Sequence, residues 1–387
     1  MPTIRRSRSP IARVTVLLAT AAFVVAPAAA RAQELPSKLA DSSFWRLVTE
    51  FSEAGGTFRS DNFVSNETMY QWVIPELLRT TKPGGVYLGV GPDQNFTYIV
   101  ALKPKMSFIF DIRRQNMLTH LMYKAVFEQS TDRADFLSRL FSRPRPPKLD
   151  TAMTANALFA AFSGTPPDST AFRKNIAAIR DRLIKHHGFK LSDDDVRTIS
   201  YVYEAFVSAG PDLTYNFGPR GITGFGRGRM PTYADLQMER DSVGAQRSYM
   251  ASEANFRAIK EMEDNNLIVP LVGDFAARPD TIQGPGAIRR VAAYLKEHKA
   301  IVTAFYLSNV EQYLFNQGED WSRFYSNAGT LPVDSTSTFI RSVFNGMGTY
   351  GGGFMRGQQM LASILAQVTA FNEKKLMSYA DVIQTSR

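Results

Sequence analysis

Val86-Tyr87-Leu88-Gly89-Val90 is a short apolar run between two turn-forming clusters, Pro83-Gly84-Gly85 and Gly91-Pro92. A run of that length with no polar alternation predicts a strand buried on both faces. A short helix near Phe96–Leu102 is expected next, then a second strand, Met106–Phe110, ending at Asp111. From Gln115 to Glu128 the apolar positions Met117, Leu118, Leu121, Met122, Ala125 and Val126 recur at helical spacing. Strand, helix, strand, helix is the opening of an open, mainly parallel α/β sheet.

The alternation then stops. Residues 132–210 show only helical periods, with Arg143-Pro144-Arg145-Pro146-Pro147 as a hinge and Ser192 with Asp195 as a capping box before Val196–Ser208. This region reads as a helical insertion. A glycine- and arginine-rich stretch, 215–231, cannot build a core and predicts a loop. After a helix over Ser252–Asp264 the alternation resumes. Strands are expected at Leu267–Val272, Ile301–Leu307 and Thr338–Phe344, with helices at Ala287–His298 and Val310–Phe315. A last helix is expected through Leu361, Ile364, Leu365, Val368 and Phe371. Ahead of the first strand, residues 33–82 read as mainly helical and broken at Gly55-Gly56, with one helix capped by Ser65 or Asn66 and running through Trp72 toward Leu78. Pro270 conflicts with its strand, because proline cannot donate to a ladder.

The organisation that follows is a leader (1–32), a first half of the sheet domain with N-terminal helices (33–131), the insertion (132–212), the Gly/Arg loop (213–251) and a second half (252–387). The leader rests on Arg5, Arg6, Arg8 and Arg13, the apolar run Val14–Val25 and the small-x-small site Ala30-Arg31-Ala32. It predicts export, to the periplasm or beyond, with a mature start at Gln33. Removing it takes away five arginines and no acids, so a net charge of +9 becomes +4. The basic balance is then weak, and nucleic acid is disfavoured as a partner; a small molecule or an envelope component is expected instead. No transmembrane segment is expected in the mature chain. The chain has no cysteine and four histidines without an HExxH pattern, so no metal is expected. No GxSxG elbow exists for a serine hydrolase.

In a parallel open sheet, ligands bind beyond the carboxyl ends of the strands. Gly89 and Gly91, Asp111, Asp274 and Ser308-Asn309 fall there. Glycines let backbone approach a ligand, and Asp111 comes after Gly91 at a distance suited to a ribose-binding carboxylate. Asp274 is placed to accept a bond from an adenine amino group, and Asn309 to bind a polar substrate group. Each has a bland alternative: a tight turn for the glycines, and a helix cap or a pair with Arg113 or Arg114 for Asp111. Only two glycines of the dinucleotide fingerprint are present, and Pro92 removes an N–H, which disfavours a pyrophosphate cofactor such as NAD. Glu53, Arg59, Asp61, Asn62 and Glu67 cluster before the first strand, where two carboxylates can serve as acid and base in glycan chemistry or simply solvate and cap.

The stretches FSEAGGTFRSDNFVSNE (51–67), VYLGVGPDQNFTYI (86–99), FIFDIRRQN (108–116), LIVPLVGDF (267–275) and TAFYLSNVEQYL (303–314) resemble a family of exported, largely uncharacterised bacterial proteins. That family is similar in fold to class I S-adenosylmethionine-dependent methyltransferases, so the resemblance implies a Rossmann-like sheet and a pocket at its strand ends. It places Gly89, Gly91, Asp111 and Asp274 at the cofactor positions; Asp93 is expected to join them, and Glu67, Tyr306, Ser308 and Asn309 are expected on the substrate side. The loop departs from the usual E/D-x-G-x-G-x-G: neither Val86 nor Tyr87 is acidic, and Asp93 stands where the third glycine would. S-adenosylmethionine is a cytoplasmic metabolite, which sets the fold's usual cofactor against the leader. Two functions follow from this: a methyltransferase-type transferase, or a non-catalytic envelope protein that keeps the fold and binds a ligand.

Overall fold

A computed structural model describes residues 1–3, 34–216, 230–278, 284–344 and 357–387. Most of the leader and residues 217–229 of the Gly/Arg loop lie outside the described residues. Six strands form one sheet: β1 (Val86–Val90), β2 (Met106–Asp111), β3 (Ile268–Val272), β4 (Val302–Ser308), β5 (Thr338–Val343) and β6 (Gln358–Ser363), in the order β3-β2-β1-β4-β5-β6. β1 to β5 are parallel, and β6 runs antiparallel to β5 with Thr338 opposite Ser363. β1 is central, with Leu88 paired to Phe108 on one side and to Phe305 on the other. All five of its residues are buried, as expected for a strand covered on both faces. Each large apolar side chain so buried contributes roughly 1.5–3 kcal/mol.

The chain leaves β1 toward β2 and β3, then returns to lay β4 on the other side of β1. That reversal opens a crevice between the carboxyl ends of β1 and β4. Between β2 and β3 the described residues hold helices and no strand: α4 (Arg114–Gln129), α5 (Arg133–Leu140), α6 (Ala155–Phe162), α7 (Ser169–Asp181), α8 (Asp193–Ala209), α9 (Tyr233–Met238) and α10 (Glu253–Asp264). The earlier helices are α1 (Asp41–Phe51), α2 (Ile74–Thr80) and α3 (Gln94–Leu102). The later ones are α11 (Ala287–Glu297), α12 (Val310–Leu314), α13 (Asp320–Ala328), α14 (Ile364–Asn372) and α15 (Tyr379–Gln384). Among the described residues no helix is long and apolar enough to cross a membrane.

The expected single stripe on α4 is an underestimate. Asn116 to Phe127 are buried without interruption, because α8 and α10 cover the face that the sheet leaves open. The capping box on α8 is present, and its Asp195 also takes a two-pronged bond from Arg114 at 2.6 and 2.9 Å. The strand conflict at Pro270 resolves at the sheet edge. Val272, two residues on, turns its N–H outward to Ser52 Oγ at 3.0 Å, so Pro270 stands on the side where no ladder bond is needed.

Two expectations fail. The helix capped at Ser65 or Asn66 does not form; α2 begins at Ile74, with Pro75 in its first turn. The backbone ahead of it is bound by distant side chains instead. Met69 sits at φ 65° with its N–H on Glu239, and Tyr98 OH donates to Tyr70 O at 2.7 Å. The last helix begins later than expected, since Leu361 belongs to β6 and α14 starts at Ile364. A short apolar run reads alike in both states, and here pairing with β5 decides it.

Candidate functional site

A cavity of about 220 Å³ lies at the carboxyl ends of β1 to β4. Gly91 and Pro92 come from the end of β1, Asp111 from β2, Gly273 and Asp274 from β3, and Ser308 and Asn309 from β4. The segment before α2 closes it with Phe58, Asn62 and Glu67, and Tyr313 of α12 with Gln317 and Asp320 after it form another wall. Gly91, Asp111, Asp274, Glu67, Ser308 and Asn309 therefore line one space, although they are remote in sequence. Gly89, Asp93 and Tyr306 do not line it.

The loop after β1 is shaped from below by Asn95. Its Nδ2 reaches Val90 O, Gly91 O and Pro92 O at 3.0, 3.1 and 2.7 Å, and its Oδ1 accepts from Tyr87 OH at 2.8 Å. Gly89 is the residue that lets this side chain in. A Cβ there would fall 1.9 Å from Asn95 Oδ1, so its lack of a side chain serves packing. Gly91 adopts φ +83°, a backbone state glycine takes readily. Its carbonyl also receives Asn116 Nδ2 at 3.1 Å and His120 Nε2 at 2.9 Å. Burial holds His120 down to about 4, so the ring is neutral near pH 7 and Nε2 carries the proton it donates. Gly91 N–H is turned to Phe110 O at 3.2 Å, and Pro92 has none, so this loop offers no cradle of N–H groups to a phosphate.

Asp93 points away from the cavity, to Gln237 Nε2 at 2.8 Å and Tyr249 OH at 3.0 Å. Burial among these neutral donors raises it to about 7. Asp111 is gripped by Arg113, with Oδ1 taking the backbone N–H at 2.9 Å and Nε at 3.0 Å, and Oδ2 taking the guanidinium at 2.8 Å. Arg113 in turn holds Ser60 O and Asp61 O at 2.9 and 2.6 Å, which straps the cavity's front segment to the end of β2. A carboxylate has about four acceptor sites, so one on Oδ2 stays open. Asp274 Oδ1 accepts from Ala276 N at 2.9 Å.

Glu67 is the most unusual group. It is 1% exposed, yet it borders the cavity. Three hydroxyls surround it: Ser308 on Oε1, and Tyr306 and Ser342 on Oε2. Burial raises its pKa, and the hydroxyl bonds oppose that rise. Ser308 reaches it through a bulge at the end of β4, where the residue sits at φ 53°. Such backbone in a residue other than glycine costs about 1–3 kcal/mol and concentrates at functional sites. Of the other two carboxylates in the cluster before the first strand, neither Glu53 nor Asp61 is on this cavity. For Glu53 the reason is a structural tie. Its Oε1 receives Ala287 N at 2.8 Å and Asp274 N at 3.3 Å, which ties the start of α11 to the end of β3. Sequence reasoning missed Ser342, Phe58 and Tyr313. Nothing marks Ser342 within an ordinary buried strand; only the register of β5 beside β4 brings it to Glu67.

The sheet and its crevice define a Rossmann-like α/β protein with a ligand-sized cavity at the topological switch point. The chain belongs to the family described as "Domain of unknown function (DUF7790)", whose model matches residues 62–146 and 149–378. No curated protein matches it.

Proposed function

We propose that this is an exported protein whose strand-end cavity binds an adenosine-type small molecule, as a methyltransferase-type transferase would. The observation that carries the reading is the convergence of Gly91, Asp111, Asp274 and Asn309, from four strand ends, on one cavity. The open acceptor site on Asp111 suits a ribose hydroxyl, and Asp274 beside Phe275 suits the amino edge of a purine. S-adenosylmethionine, when bound, would supply an electrophilic methyl group. Calorimetry with S-adenosylmethionine and S-adenosylhomocysteine tests the reading; no binding of either at millimolar concentration removes it. Asp111→Ala should weaken binding at least tenfold, since a hydrogen bond to a charged group is worth about 1.5–3 kcal/mol. It should also lower the melting temperature, because Arg113 loses the carboxylate that aims it at Ser60 and Asp61. A mature N-terminus near Gln33, seen by mass spectrometry of protein from its host, tests export.

The loop after β1 supports a second reading, a non-catalytic envelope protein that binds a ligand without that cofactor. Gly89 serves Asn95 and Asp93 faces Tyr249, so two positions of the cofactor pattern do other work. Binding of an envelope-derived small molecule with no adenosine compound bound would favour it.

A further inference from the structure

The inner end of the cavity is built from acceptors that lack a cation. Glu67 is buried there, and among the described residues its hydrogen bonds come only from the hydroxyls of Tyr306, Ser308 and Ser342. Those three bonds leave one acceptor site on Oε1. Gln94, 4% exposed, lines the same cavity. Its Nε2 lies 3.4 Å from Tyr306 OH, but its Oε1 is buried without any partner. A buried acceptor left unpaired is costly, and a ligand donor can recover that cost. Asp274 adds an acidic group to the lining, whereas Asp320, also on it, is paired with Arg323. Arg113 is the sole cation among the described lining residues, and it is already committed to Asp111. Phe58, Phe275 and Tyr313 supply aromatic faces.

We propose that this cavity selects a ligand bearing an ammonium group on an aromatic body, with the ammonium seated between Glu67 and Gln94. This rests on the reading of the cavity as a ligand site, and it adds the charge and polarity of what enters. The ammonium donates to the open site on Glu67 Oε1 and to Gln94 Oε1, and it neutralises a carboxylate that burial otherwise disfavours. The rings stack on the aromatic body.

The test compares two molecules of the same shape. Tyramine and its alcohol isostere, 4-(2-hydroxyethyl)phenol, are titrated into the full protein at about pH 8, where the amine is charged. Tyramine should bind at least about tenfold more tightly, and the preference should vanish in Glu67→Gln. Gln94→Leu, which keeps the volume, should reduce tyramine affinity and spare the alcohol; it carries the test should Glu67→Gln fail to fold. Equal binding, no binding by either compound, or a preference that survives both substitutions overturns the proposal. S-adenosylmethionine titrated in parallel separates the two readings. Amine preference without adenosine binding removes the cofactor alone, and adenosine binding without amine preference removes the ammonium site alone.

Discussion

Glu128 and Glu67 are both carboxylates shut away from water, and the protein treats them in opposite ways. Glu128 is enclosed by two cations and an imidazole: Lys124 at 2.8 Å, Arg182 at 2.6 Å and His187 Nε2 at 2.7 Å, with His187 Nδ1 a further 2.9 Å from Asp41. Burial pushes its pKa up, but these partners outweigh it and bring it down to about 2. Together the groups tie α1, α4 and the turn after α7 into one knot. Glu67 meets only hydroxyls, and burial wins. The difference separates a structural anchor, complete in itself, from a group whose compensation is left to something outside the chain. Buried charge alone would not distinguish them; the chemistry of the partners does.

The largest expected effect is on stability. Glu128→Ala leaves Lys124 buried without its counter-charge and should cost about 3–5 kcal/mol in urea unfolding at neutral pH. Glu67→Gln keeps one acceptor oxygen and turns the other into an NH2 donor, which the facing hydroxyls can meet by rotating to accept, and should cost about 1 kcal/mol. Equal costs would erase the distinction.

A pH series sharpens it next. Glu239 and Glu263, raised by burial to about 8 from 4.5, hold their protons more tightly when folded. Their contribution is complete below an unfolded pKa of 4.5 and is lost as the pH rises through about 8. Asp93, raised from 3.8 to about 7, acts in the same direction. Glu128 and His120 act in reverse. The Glu128 contribution is present above 4.5 and lost toward about 2. That of His120 is present above 6.5 and lost through about 4. The melting temperature should therefore fall between about pH 6.5 and 8.5, where only the raised acids still titrate. Glu239→Gln should flatten that fall, and an unchanged slope would count against it.

The smallest effect isolates backbone strain at the cavity. Ser308→Gly and Ser308→Ala both lose the bond to Glu67, but only glycine suits φ 53°. The glycine variant should be the more stable by about 1 kcal/mol in thermal unfolding. Identical melting curves would mean that Ser308 is not strained.

Much of the sheet is legible in the sequence because its strands are buried on both faces and bounded by turn residues, as in Val86–Val90. The strand-end positions Gly91, Asp111, Asp274 and Asn309 follow from that reading alone. What is not legible depends on partners far away in the chain. The stretch 66–73 has helical composition, yet Glu239 and Tyr98 hold its backbone in turns. Asp93 follows β1 as a cofactor residue would, but Gln237 and Tyr249 draw it to the other side. The ring around Glu67 joins 67, 306, 308 and 342, and no local pattern encodes that meeting.

The position of β1 also bears on how the molecule is assembled. Val86 meets Met106 on one side and Val302 on the other. A growing chain can form the first pairing almost at once, but the second edge of its central strand stays bare until β4, about four-fifths of the way along the chain, has emerged. Closing so long a loop is entropically slow, and an unpaired apolar edge is sticky while it waits. If the chain is exported as proposed, that interval is when a holding chaperone has the most to protect, and the cavity is finished only when β4 arrives.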